Sequence, residues 1–159
     1  MKITIVAAGK LKEKYLTQGI AEFMKRLTPF ARVEIREINE KHMPDEPSDA
    51  DRERVLTKEG ERLLKQVPEG SYIFVLDVYG KQKSSEELAE RINELGLQGK
   101  SSIAFLIGGA FGLSKEVRAA ADELLSFSRM TFTHQMVRLL LVEQIYRAFK
   151  INRGEKYHW

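Results

Sequence analysis

No cysteine occurs among the 159 residues. That absence excludes a disulfide framework, a zinc–thiolate site, an iron–sulfur cluster and a cysteine nucleophile, and it fits a reducing cytoplasm. No stretch approaches the roughly 18 consecutive apolar residues of a membrane span, and the opening MKITIVAAGKLKEKY lacks the apolar core and cleavage pattern of a signal peptide. The expectation is a protein that stays in the cytoplasm and has no membrane partner. Internal repeats and low-complexity tracts are missing too. The sequence offers no carboxylate pair, no nucleophile–base pair and no cluster of metal ligands, so no metal is expected.

What is present describes an ordinary globular chain, with 43% hydrophobic and 31% charged residues and a mean hydropathy of −0.34. Its length fits one domain over residues 1–159, large enough to bury about two-thirds of its unfolded surface. The net charge of +3 is mild. Its distribution is not even, because from Arg129 onward six cations face two acids, a net of +4 against −1 for everything before. A basic end of this kind suits an anionic partner.

Residues 2–8 form a β-branched apolar run, and the following segment puts Tyr15, Gly19, Phe23 and Leu27 on one helical stripe. Residues 32–38 alternate apolar with charged, the pattern of a strand near a sheet edge. A loop containing Pro44 and Pro47 leads to a helix from about Ser48 to Gln66. SYIFVLDV at 71–78 and IAFLI at 103–107 are apolar on both faces, as central parallel strands are. Between them lie a loop and a helix announced by Ser84 and Glu87 at capping-box spacing. After IAFLI the sequence predicts a helix from about Lys115 to Leu125, a strand-like FSRMTF, and a long helix from His134 to Ile151. Strands alternating with helices give an α/β fold, a three-layer sandwich with a mainly parallel sheet. Ligands in such sheets bind beyond the carboxyl ends of the strands, here after Val78, Ile107 and Phe132.

Three features carry chemistry. Gly108, Gly109 and Gly112 form G-G-x-x-G between a strand and a helix, which is neither a dinucleotide fingerprint nor a P-loop; it is a ligand-approaching turn or simply a tight one. The last helix is apolar on two stripes, one through Val137, Leu140, Leu141, Gln144 and Ala148 and another through Leu139, Val142, Tyr146 and Phe149. That describes either a deeply buried helix or one that meets a second copy of the chain. The end NRGEKYHW interleaves Arg153 and Lys156 with Tyr157, His158 and Trp159, rings that can stack on bases, although a frayed tail is the plainer reading. His134 stands where it could face a ligand or cap the last helix.

FLIGGAFGLS at 105–114, FSRMTFTHQMVRLLLVEQIYRA at 127–148 and the Tyr-His at 157–158 together resemble the ribosomal RNA large subunit methyltransferase H family of the SPOUT superfamily. VLDVYGKQKSSEELA at 75–89 also fits, and the resemblance runs the whole length. It implies a SPOUT-type fold with a C-terminal trefoil knot, a homodimer, S-adenosyl-L-methionine as cofactor, and N3-methylation of a pseudouridine in 23S rRNA, within the assembled ribosome. By position it assigns cofactor contacts to Leu76, Gly108, Phe127, Ser128, Arg129, Met130, Thr131 and Phe132. The imide N3 is mostly protonated at neutral pH, so a base or a cation that favours the deprotonated ring is needed, and Arg153 and His158 are the catalytic candidates; His134, Arg153, Tyr157 and His158 are the expected substrate contacts. Competing readings are an adenosine-ligand-binding module and an RNA-binding module, both without catalysis.

Overall fold

The first apolar run forms β1 (Lys2–Ala8) in a computed structural model that describes residues 1–158. Its alternating side chains divide the molecule. Ile3, Ile5 and Ala7 enter one core while Val6 and Ala8 enter a second on the opposite face, as a strand covered on both sides requires. α1 (Lys14–Leu27) leads to β2 (Arg32–Ile38), which pairs in parallel with β1 from Lys2↔Arg32 to Ala8↔Ile38. α2 (Asp49–Lys65) starts at Ser48, whose hydroxyl accepts from the Asp51 N–H at 3.1 Å while Asp51 accepts from the Ser48 N–H. Ser84 and Glu87 make the same reciprocal cap before α3 (Ser85–Leu97), which follows β3 (Tyr72–Gln82). β4 (Ser102–Ile107), α4 (Lys115–Ala120), β5 (Glu123–Ser126) and α5 (His134–Asn152) complete the order.

The sheet runs β2-β1-β4-β3-β5 and every pairing is parallel. β2 is an edge and β3 and β4 are interior, as their hydrophobic patterns predict. α1, α3 and α5 cover the face that carries Ile103, Phe105 and Phe74. Leu63 of α2 and Val117 of α4 cover the face that carries Ala104, Leu106 and Val75. The expected three layers are therefore present.

Several local expectations are corrected. The helix after Lys115 stops at Ala120 and the strand lies at 123–126, so FSRMTF is an irregular segment. Asp122 causes the early stop: its N–H donates to the Ile73 carbonyl at 2.8 Å and its carboxylate accepts from the Ile73 N–H at 2.7 Å, steering the chain onto β3. β3 also continues through the supposed loop to Gln82, with an irregularity between Leu76 and Lys81 that bulges residues 77–80. Gly80 permits this, since a Cβ there would fall 2.7 Å from the Leu124 carbonyl carbon.

On α1 the buried stripe is Leu16, Ile20 and Leu27, and Tyr15 is exposed. Both stripes of α5 are covered within the chain, because α5 packs against α1 and α3 together. Val142 is fully buried, Leu139 lies against Gly19, and Phe149 stacks on Phe30 with centroids 5.9 Å apart. The second stripe thus gives no evidence of a partner surface. Half of the basic end is tied up within the chain, since Arg138 pairs with Glu37, Arg147 with Glu143, and Lys150 with Glu155, whereas Arg129, Arg153 and Lys156 are exposed.

Candidate functional site

A parallel sheet leaves its ligand groove beyond the carboxyl ends of its strands, where the strand order reverses. Here the ends of β3, β4 and β5 enclose a cleft of about 770 Å³, within the usual range of roughly 300–1,000 Å³ for small-molecule sites. Each wall has a local cause. The bulge after Leu76 turns Asp77, Val78 and Tyr79 into the cleft. Asp77 is held by Arg118 Nε at 2.8 Å and accepts from the Tyr79 N–H at 3.1 Å. That clamp fixes the bulge to α4.

The second wall is the Gly-rich turn. Gly112 has φ +94° and its N–H donates to the Gly109 carbonyl at 3.2 Å, closing a tight loop, a backbone state that glycine tolerates best. A Cβ at Gly108 would sit 2.7 Å from both the Gly112 oxygen and Leu113 Cδ2. Gly108 is thus required by the turn itself. The N–H groups of Gly109 and Ala110 donate to Glu59 and Glu40. Donors already engaged by carboxylates do not cradle a phosphate, which agrees with the missing P-loop chemistry.

The third wall is the segment after β5. Ser126 Oγ lies 3.0 Å from the Val78 carbonyl oxygen and 2.9 Å from that of Ser128, its single proton shared between the two, which ties this segment to the β3 bulge. Ser128 Oγ accepts from the Met130 N–H at 3.0 Å, and Thr133 caps α5 by accepting from the Met136 N–H at 3.2 Å. Phe127, Phe132 and Phe111 supply apolar surface. Backbone from three crossings with rings beside it suits a nucleoside-sized ligand of mixed polarity.

Of the residues expected to contact cofactor, Leu76, Gly108, Phe127, Ser128, Met130, Thr131 and Phe132 line this one cleft, and so does His134. Arg129 is in the same segment, exposed and outside the lining. Arg153, Tyr157 and His158 do not line it. The Arg153 guanidinium lies 4.4 Å from the Phe30 ring centroid. The Tyr157 ring meets Tyr146 edge-on at 4.8 Å and its hydroxyl donates to Glu143 at 2.9 Å. Burial and the Glu143 carboxylate raise that phenol above its ordinary range.

His158 Nδ1 is 3.1 Å from Arg147 Nη1, and Nε2 is 2.6 Å from Glu86 Oε1. A guanidinium only donates, so Nδ1 accepts and Nε2 carries the proton given to Glu86. The described tail is therefore docked rather than frayed. It sits by a smaller recess of about 240 Å³ that includes Ser84 and Ser85 and shares Leu125, Phe127 and Phe132 with the main cleft. Trp159, the last ring of the tail motif, lies outside the described residues.

The sequence reading missed Asp77, Arg118, Glu40 and Glu59. Two carried a signal. Asp77 is the one acid in the apolar run SYIFVLDV. Glu59 interrupts a buried α2 stripe between Val55 and Leu63 at four-residue spacing. Among the described residues no group of three or more His, Asp or Glu is arranged to hold a metal ion, and no helix is long and apolar enough to cross a membrane.

A family model described as predicted SPOUT methyltransferase matches residues 1–158. A protein of Halothermothrix orenii named ribosomal RNA large subunit methyltransferase H is 57% identical over 158 residues, 99% of each chain. One of the same name from Carboxydothermus hydrogenoformans is 54% identical over 158 residues, again 99% of each. Among solved structures, a probable methylase family protein from Haemophilus influenzae Rd KW20 aligns with TM-score 0.53 at 13% identity, covering 99% of this chain and 70% of that one, a likeness of fold.

Proposed function

The chain belongs to the SPOUT methyltransferase family, and from that premise we propose that it methylates 23S rRNA of the large ribosomal subunit, at N3 of a pseudouridine, with S-adenosyl-L-methionine as donor. The observation that carries this reading is the convergence of Leu76, Gly108 and the 127–132 segment on one cleft. The cleft also fits the donor chemically, being mostly apolar, ringed by backbone, and without a cationic cluster that would demand phosphate. When bound, S-adenosyl-L-methionine supplies an electrophilic methyl on a sulfonium.

The residues of this chain then have to orient and exclude water. The β3 bulge, the Gly-rich turn and the 127–132 segment hold the ligand from three sides, and His134 at the start of α5 faces the incoming base. Holding two reactants in line is worth roughly 7–11 kcal/mol of barrier. The imide N3 must also lose a proton, and a positioned base contributes about 10²–10⁴ in rate. Arg153, Tyr157 and His158 belong to the substrate side in this proposal, contributed by a second copy of the chain. Support for a homodimer comes from the cleft mouth, where Tyr79, Met130, Phe111 and Phe132 are exposed. The C-terminal trefoil knot and a cytoplasmic site of action belong to the same reading.

Incubation with radiolabelled S-adenosyl-L-methionine and either whole ribosomes or naked rRNA, followed by nucleoside analysis, tests it. Label in N3-methylpseudouridine is the expected result. Cofactor binding with no transfer to either substrate would favour an adenosine-binding module, and RNA binding with neither would favour an RNA-binding one.

A further inference from the structure

The Gly-rich turn after β4 is fastened by two carboxylates from the first half of the chain. The Gly109 N–H donates to Glu59 Oε1 at 3.3 Å, and the Ala110 N–H donates to Glu40 Oε1 at 3.2 Å. Glu59 reaches the turn because its neighbour Gly60 lets α2 cross the first turn of α4 at close range, where a Cβ would fall 2.9 Å from Val117 Cγ2. The crossing leaves Glu59 only 6% exposed. Glu40, just beyond β2, reaches the turn because Gly109 has no side chain; a Cβ there would collide with its carboxylate. The same Glu40 oxygen lies 3.7 Å from His134 Nε2 on the cleft wall.

Keeping a carboxyl group in the Glu59 position is costly. Burial raises its pKa and the Glu40 charge raises it further, with the Gly109 N–H pulling the other way. Neither acid is among the residues that line the cleft. Each instead satisfies one backbone donor of the turn, and unsatisfied donors in such a place would favour other loop conformations.

We propose that Glu40 and Glu59 are positioning residues that hold Gly109 and Ala110, and so keep the Gly108–Gly112 turn in the shape that receives the cofactor, with Glu40 also linking that turn to His134. The inference rests on the cofactor reading above. Its test therefore has one arm that needs no ligand. Amide hydrogen exchange of Gly109 and Ala110 in the full-length protein reads the clasp itself, and calorimetry with S-adenosylhomocysteine reads its consequence.

Glu40→Ala, at a half-exposed position that endangers folding little, should speed exchange at Ala110 and weaken S-adenosylhomocysteine by about ten-fold, the scale of one charge-assisted hydrogen bond. Glu40→Gln keeps an acceptor and should recover most of the affinity. Glu59→Gln should leave Gly109 protected, whereas Glu59→Leu should expose it. Unchanged exchange in Glu40→Ala and Glu59→Leu would overturn the clasp, and faster exchange with unchanged affinity would overturn the positioning role. A wild type that fails to bind S-adenosylhomocysteine would overturn the cofactor reading and the positioning role with it, while the exchange arm still reports on the clasp.

Discussion

Arg138 Nη1 donates to Glu37 Oε2 at 2.5 Å, joining the first turns of α5 to the end of β2 across 101 residues of chain. Its Nη2 donates to the Gly9 carbonyl at 3.0 Å, and its Nε is buried with no partner among the described residues. The side chain is 1% exposed. This cation is thus a lock between α5 and the ends of β1 and β2, and RNA cannot reach it.

The lock makes an asymmetric prediction. Glu37→Ala leaves a buried guanidinium without its counter-charge and should cost about 2–3 kcal/mol of stability, somewhat under the loss for a wholly buried pair because Glu37 is partly wet. Arg138→Met removes the charge and keeps most of the volume, so it should cost less. Urea denaturation checks both, and a Glu37→Ala protein as stable as wild type would show that the pair is no lock.

The covered stripe of α5 changes what charge insertion there would do. Val142 is fully buried and Leu139 packs on Gly19, so Leu139→Glu with Val142→Glu places carboxylates inside the α1–α5 contact. An unpaired charge there should unfold the chain instead of producing a folded monomer. Circular dichroism together with sedimentation distinguishes the two, and a well-folded monomer would return this stripe to the role of a partner surface.

Much of the architecture was legible because hydrophobic period and caps acted locally. Residues 2–8, 32–38 and 103–107 declared strands by their patterns, and Ser48 and Ser84 declared helix starts. Three stretches were misread: the α1 stripe, residues 79–82, which continue β3 past its bulge, and 115–132, where Asp122 uses a long-range pairing with Ile73 to end α4 early, which no local pattern encodes. Both stripes of α5 were visible, but which partner covered them depended on where α1 lies. The cleft walls followed from strand ends plus the G-G-x-x-G turn. The acids that brace the turn come from 50 and 70 residues away, beyond any spacing rule.

Glu59 also predicts a pH dependence of stability. Burial raises its folded-state pKa above the ordinary 4.5, so between that value and the raised one the native state binds more protons than the unfolded state. Stability from this group is therefore complete below about 4.5 and is lost as pH rises through the folded pKa. Glu59→Gln abolishes the titration and keeps the acceptor. The stability of the variant relative to wild type should grow as pH is raised from 4 to 8, measured by denaturant midpoints at each pH; a constant difference would show that Glu59 titrates normally.

The docked tail gives the last prediction, and it reassigns His158. None of Arg153, Tyr157 or His158 lines the cleft, so truncation after Asn152 should leave S-adenosylhomocysteine affinity within about three-fold while α5 keeps its buried residues Leu141, Val142, Ile145 and Ala148. Methyl transfer to ribosomes should fall by about 10²-fold or more, the scale of losing positioned groups near a reacting centre. With Nδ1 accepting from Arg147 and Nε2 donating to Glu86, the docked His158 has no free lone pair to take a proton. On that geometry we expect His158 to act on the substrate side by fastening the tail, and Glu86→Gln, which weakens the same contact, should reproduce part of the His158→Ala loss. The His158→Ala variant should therefore transfer more slowly with the shape of its pH–rate profile unchanged. If the profile instead loses an ionisation near neutral pH, His158 leaves its dock during turnover and acts as the base.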